Sequence, residues 1–201
     1  ARASGRLLKA AGIDFDRCYT SVQKRAIRTL CLALEQMDRT WLPVTKDYRL
    51  NERHYGGLTG LNKKETAARH GDAQVKVWRR SFDVPPPDLE PGSEFDLSRD
   101  PRYRGIAIPK TESLKMTLAR VLPYWTAEIA PKLKAGENIL IAAHGNSLRA
   151  IVKHLFEVPD SEITEVEIPT GDPLLIELDG KLKVQSARYL DPARAKPLPP
   201  A

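Results

Sequence analysis

Four short stretches of this sequence gather side chains able to handle a charged substrate. The first is His144-Gly145-Asn146-Ser147, which follows the apolar run Asn138–Ala143 at once. A buried strand running straight into a helix brings an imidazole and several backbone N–H groups to one point. The helix end adds partial positive charge, and Gly145 lets a ligand come close to the backbone. This suits an anion site with a proton-handling or charge-stabilising side chain. The alternative is a hydrogen-bonded core histidine beside an Asn146 that merely caps the helix.

The second stretch, Tyr19–Ala26, puts Lys24, Arg25 and (just beyond) Arg28 in the first turns of a predicted helix. The helix dipole disfavours cations there, and a bound anion would reverse that penalty. Solvated surface arginines are the alternative. In the third, Asn51-Glu52-Arg53-His54-Tyr55 runs into Gly56-Gly57, which packs an acid, a guanidinium, an imidazole and a phenol onto one predicted loop. Dense polar groups on a loop suit a binding site, with Glu52 as a general acid or base; an exposed polar turn is the alternative. The fourth, Trp78-Arg79-Arg80-Ser81, offers two adjacent forked donors for a carboxylate or a phosphate.

Composition narrows the partner. The 201 residues carry 32 Lys and Arg against 26 Asp and Glu, a formal net charge of +6, which favours anions. The basic residues are interspersed with acids, with no long basic block and no aromatic-interleaved basic stretch. A small, highly charged anion therefore fits better than nucleic acid. His54, His70, His144 and His154 show no metal-ligand spacing and no accompanying Cys or carboxylate cluster, so no metal is expected. Cys18 reads as strand and Cys31 as helix core, which implies reduced thiols in a cytoplasmic protein. No apolar run approaches the ~18–20 residues that span a bilayer, and no secretory leader is expected.

These residues need elements to position them. Leu7, Leu8 and Ala11 mark a first helix stopped by Gly12, and Phe15–Thr20 reads as a strand. Val22, Ala26, Leu30, Leu34 and Met37 line a long amphipathic helix. Trp41–Val44 and Tyr48–Leu50 read as short extended pieces around Pro43. Asn62 with Glu65 caps a helix that Gly71 ends, and Asp72 opens another. Residues 84–109 hold six prolines and no periodicity, which marks a lid, an excursion or a disordered loop. Thr111 opens a long helix that Pro123 and Pro131 should kink or break. After the 138–143 strand and the helix through Leu155, Leu174–Leu178 and Leu182–Tyr189 form a hairpin about an Asp179-Gly180 turn. Strands alternating with helices give an α/β layered sheet, mostly parallel, whose ligand crevice lies at the carboxyl ends of its strands.

The combination resembles one family. Tyr19–Ala26, Leu50–Gly56, Gly60–Thr66, Trp78–Arg80, Ala142–Arg149 and Ile168–Gly171, in this order, are similar to the 2,3-bisphosphoglycerate-dependent phosphoglycerate mutases of the histidine phosphatase superfamily. The resemblance implies a three-layer α/β sandwich and interconversion of 2- and 3-phosphoglycerate in glycolysis and gluconeogenesis through a phosphohistidine. It further implies 2,3-bisphosphoglycerate as priming donor, no metal, and a homodimer or homotetramer with a small phosphorylated acid substrate. By position it makes Arg25 the holder of the transferring phosphoryl group, Glu52 the proton carrier and His144 the second active-site histidine. Arg53, His54, Tyr55, Lys63, Arg79, Arg80, Gly145 and Asn146 become substrate-binding residues.

One departure stands out. In the family the nucleophilic histidine lies in an Arg-His-Gly motif at the end of a first strand near the N-terminus. The match here begins at Ala1, partway into the helix that should follow that strand. The expectation is thus a single mutase-like domain over residues 1–192 lacking its first, central strand, with a loose tail over 193–201. Alone, such a chain is expected to be poorly stable and inactive. A phosphohistidine-type phosphatase and a non-catalytic phosphoglycerate-binding module are the alternative functions.

Overall fold

The computed structural model describes residues 1–199; the side chains of Lys63 and Arg80 lie outside that description. The chain forms two compact units, Ala1–Glu52 with Arg120 onwards, and Arg53–Ala119.

In the first unit, helix α1 (Arg2–Ala10) precedes strand β1 (Arg17–Thr20), helix α2 (Lys24–Met37) and strand β2 (Val44–Lys46). After residue 120 come a helical segment, strand β3 (Ile139–Ala142) and further elements given below. The three strands form one parallel sheet in the order β2-β1-β3. Central β1 is buried, with Cys18 and Thr20 fully enclosed. The apolar run of β3, expected to be fully buried, is half-buried instead. The reason is that β1 is its only strand partner among the described residues, so β3 is an edge.

On α2 the spacing gives the expected inner face: Ala26, Leu30, Leu34 and Met37 are buried, joined by Ala33. Leu8, Cys18, Leu30, Leu34, Met37 and Leu42 make a continuous core. Burial pushes the Cys18 thiol up to about 11, so it stays protonated and unreactive. Cys31 corrects the reading, because it lies on the solvent face of α2. The α1–α2 contact is close enough to demand glycine. A Cβ on Gly5 would strike the Ala33 carbonyl and come 2.8 Å from Gln36 Cβ. Gly5→Ala is therefore expected to cost about 1–2 kcal/mol despite alanine's better helix propensity, read as a lower urea midpoint. An unchanged midpoint would show that the helices can part.

Tyr48–Leu50, read as extended, is a 3₁₀ turn, because the Asp47 side chain accepts from the Arg49 backbone N–H and starts it. The helix expected from Thr111 begins at Leu114, as α5 (Leu114–Tyr124). Pro123 lies within it without ending it. A π turn over Trp125–Ile129 follows, then α6 (Ala130–Lys134), with Pro131 in its first turn. Pro131 has no N–H to bond the Ala127 carbonyl, and the wider turn accommodates that loss. Helix α7 (Gly145–Leu155) follows β3.

Strands β4 (Leu174–Leu178) and β5 (Val184–Tyr189) make a separate antiparallel pair. Its turn is longer than a two-residue Asp-Gly turn. Asp179 and Lys183 close it (N–H to carbonyl, 2.9 Å), and Leu182 takes positive φ, +63°. This is the three-residue hairpin geometry, normally given to glycine at that position. Beyond it, the expected loose tail is tied at Arg194, which donates to the Gly171 carbonyl at 2.9 Å and to Asp191 at 2.6 Å.

In the second unit, α3 (Lys63–His70) is capped by Asn62, whose side chain accepts from the Lys64 N–H. α4 (Asp72–Arg80) follows after Gly71 at φ +78°. Residues 84–109 form an anchored excursion with one short 3₁₀ turn, Pro101–Tyr103. Gly57 N–H donates to Pro87, Thr111 Oγ1 to Pro86, and Leu89 N–H to Lys110.

Candidate functional site

In the parallel sheet, Thr20 lies opposite Ala142, so β1 and β3 end together. Thr20 Oγ1 donates to the Ala142 carbonyl at 2.6 Å and locks the two ends. The next residues, Ser21 on one side and Ala143-His144 on the other, thus emerge side by side at the carboxyl edge.

His144 is the N-cap of α7 and is buried, at 7% exposure. Its Nδ1 accepts from Arg25 Nε at 3.2 Å, and its Nε2 lies 2.8 Å from the Oγ of fully buried Ser21. A guanidinium can only donate, so the ring proton resides on Nε2 and is given to Ser21. Ser21 Oγ also accepts from the Gln23 N–H at 3.1 Å. Burial, then the positive charges of Arg25 and Arg120, lower the His144 pKa to about 4. At neutral pH the ring is an uncharged N–H donor. Arg25 is exposed, and among the described residues its Nη groups have no protein partner, which leaves its fork open to an anion.

Glu52 reaches the same helix end. Its Oε1 accepts from the Asn146 backbone N–H at 3.2 Å, and a Cβ on Gly145 would lie 3.9 Å from its Oε2. A carboxylate over the first turn of α7 is favoured by the helix dipole. Its own backbone is held too: Glu52 N–H donates to Gln23 Oε1, and Val22 N–H to Asn51 Oδ1, each at 3.2 Å. Asn146 is buried, with its Oδ1 accepting from Arg149 Nη1 at 3.0 Å. The structure thus gathers Arg25, Glu52, His144, Gly145 and Asn146 from three remote parts of the chain. Asn146 is not the cap; His144 is, and the Asn146 backbone N–H serves Glu52.

A second cluster lies within the other unit. Arg53, at 3% exposure, donates to the Trp78 carbonyl at 3.2 Å. Its guanidinium sits 4.6 Å from the Tyr55 ring, with Arg79 at 5.8 Å from the same ring. Among the described residues the buried Arg79 Nε has no hydrogen-bond partner. His54 faces a different way: fully buried Glu112 accepts from both its backbone N–H (3.0 Å) and its Nδ1 (2.8 Å). The side chains of Lys63 and Arg80 lie outside the described residues.

Ser21, Gln23, Glu112 and Arg120 are the residues that the sequence reading did not single out. Arg69-His70-Gly71 does spell Arg-His-Gly. It ends a helix rather than a strand, with His70 exposed and edge-on to Trp78 at 5.1 Å. Among the described residues no group of three or more His, Cys, Asp or Glu is arranged to hold a metal ion.

The sequence matches the model of the histidine phosphatase superfamily (branch 1) over residues 1–100 and 96–186. It is 67% identical to a 2,3-bisphosphoglycerate-dependent phosphoglycerate mutase of Caulobacter sp. (strain K31), over 99% of this chain and 84% of that protein. A protein of the same name from Hyphomonas neptunium is 69% identical with the same coverage. Among solved structures, a mycobacterial glucosyl-3-phosphoglycerate phosphatase with inorganic phosphate superposes with a TM-score of 0.65 at 19% identity. That match covers 94% of this chain and 81% of the other. A phosphoglycerate mutase from Bacillus anthracis gives 0.52 at 18% identity, over 77% and 65%. At those identities the likeness is one of fold.

Proposed function

Because the chain belongs to the histidine phosphatase superfamily, and within it to the 2,3-bisphosphoglycerate-dependent phosphoglycerate mutases, we propose that its protein interconverts 2- and 3-phosphoglycerate. The observation that carries this reading is the seating of Glu52 on the first turn of α7, beside a neutral His144 gripped by Arg25. An acid that can move a proton stands beside a guanidinium fork that can hold an anion.

The roles follow from that geometry. Arg25 offers its open fork to the phosphoryl oxygens, where charge must be held while the group transfers. His144, uncharged, holds Arg25 by accepting from its Nε, while its own Nε2 proton is given to Ser21. Glu52 takes the proton from the substrate hydroxyl as it attacks and returns it after transfer. Arg53, Tyr55 and Arg79 are assigned to the acidic groups of the substrate, with His54, Lys63, Arg80, Gly145 and Asn146 in the supporting roles that the family suggests. Orientation is most of what such a site has to supply.

The donor set fits 2,3-bisphosphoglycerate, whose charge a guanidinium fork and a helix N-terminus can match. When bound, that molecule supplies the phosphoryl group that primes a carrier histidine. No strand among the described residues ends in an Arg-His-Gly motif to provide one. A cytoplasmic homodimer or homotetramer is part of the same reading. No helix among the described residues is long and apolar enough to cross a membrane.

The test is to give the full protein, with its carrier histidine, 3-phosphoglycerate and catalytic 2,3-bisphosphoglycerate, following 2-phosphoglycerate and inorganic phosphate in parallel; the 201 residues alone are expected to show no turnover. Primer-dependent 2-phosphoglycerate formation with far slower phosphate release is expected. Phosphate release as the dominant product would make the protein a phosphatase and overturn the assignment.

A further inference from the structure

Arg120 is remote in sequence from Glu52, yet its guanidinium closes the turn that presents that residue. Its Nη1 donates to three backbone carbonyls, those of Tyr48 (3.2 Å), Arg49 (2.8 Å) and Asn51 (3.2 Å). The last of these immediately precedes Glu52, and they converge because Tyr48–Leu50 is a 3₁₀ turn rather than a strand. Three carbonyls facing one point repel one another, and a cation between them is what makes that geometry stable. The next residue, Glu52, then reaches Oε1 to the Asn146 N–H, 3.2 Å away on another element.

We propose that Arg120 is a positioning residue for Glu52: by holding the Tyr48–Asn51 carbonyls it fixes the direction in which the chain enters residue 52, and so seats that carboxylate on α7. The proposal rests on the reading of Glu52 as the proton carrier, and it adds a residue that never needs to touch substrate. All three bonds come from Nη1, whose two N–H groups are shared among the three carbonyls, and the stiff guanidinium fixes that nitrogen more firmly than a flexible lysine stem would. The Gln23 Oε1 bond to the Glu52 N–H secures the same residue from α2, so Arg120 sets the approach and Gln23 the stop.

The experiment compares the protein with Arg120→Lys and Arg120→Met by amide hydrogen exchange at Asn146, whose N–H bonds Glu52. Amides of central β1 serve as the internal reference for global stability. In Arg120→Met the Asn146 amide is expected to exchange about tenfold faster relative to β1, as befits one lost hydrogen bond. Arg120→Lys is expected to recover only part of the protection. In the mutase assay the same variants should lower kcat and leave KM for 3-phosphoglycerate nearly unchanged. If Arg120→Met is folded and Asn146 exchanges as in the parent, the proposal fails. If Arg120→Met does not fold, Arg120→Lys decides, and unchanged Asn146 exchange there overturns it equally. Should no variant, nor the parent, turn over phosphoglycerate, the functional reading falls while the exchange result still judges Arg120.

Discussion

Replacing Glu52 with glutamine is expected to lower kcat by about 10²–10⁴-fold while KM for 3-phosphoglycerate stays within about twofold. Glutamine keeps the shape of the side chain and an oxygen able to accept from the Asn146 N–H, so the seat on α7 survives. What it loses is the ability to take up and return a proton, which matters only in the transition state. A purely substrate-binding Glu52 would give another pattern, with KM rising and kcat little changed. Steady-state kinetics on the full protein separate the two. A small and equal fall in kcat and in affinity would remove Glu52 from the chemistry.

Acid should destabilise the fold through His144. Unfolded, the imidazole takes a proton near pH 6.5; folded, it resists until about pH 4, because burial and then Arg25 and Arg120 oppose the charge. Between those two values only the unfolded chain gains the proton, so stability is complete above about 6.5 and drains away as pH falls towards 4. The loss amounts to about 3 kcal/mol across the window. With the ring 7% exposed, solvent screening removes little of it. Carboxylates such as Glu137, held low by Arg17, add their own acid dependence, so the comparison must be a difference of differences. Urea unfolding at both ends of the window, for the parent and for His144→Gln, should show a steeper loss in the parent. Parallel slopes would mean that His144 is charged in the folded protein.

Much of this site was legible in the sequence because its landmarks are local. An apolar run ending in His-Gly-Asn announces a strand-to-helix junction, and Asn62 with Glu65 announces the start of α3. Where the reading slipped, a contact from a distant residue or a single side chain had decided the outcome. Asp47 turns Tyr48–Leu50 into a 3₁₀ coil, and the pattern of residues 48–50 carries no trace of that. Cys31 sits beside buried Leu30 in sequence but one step round the helix, on the wet side. Arg120 and Ser21 escaped notice for the same reason. Their partners are main-chain carbonyls and one ring nitrogen, and neither leaves a spacing to find. The tripeptide Arg69-His70-Gly71 shows the converse, a motif spelled correctly in a place where no strand delivers it.

The wide turn at Trp125–Ile129 bears on how this chain could change length. Tyr124, Trp125, Ile129 and Ala130 are all turned inward, which an ordinary helix of 3.6 residues per turn would not allow for so many near neighbours. Because an i→i+5 turn holds one residue more than an i→i+4 turn, removing one residue here would restore regular winding and leave α6 facing as it does, with Ala130 inward. The same removal from the regular winding of α5 would instead rotate everything after it by roughly 100° about the axis. A one-residue deletion within the wide turn should therefore be less damaging than one within Leu114–Tyr124.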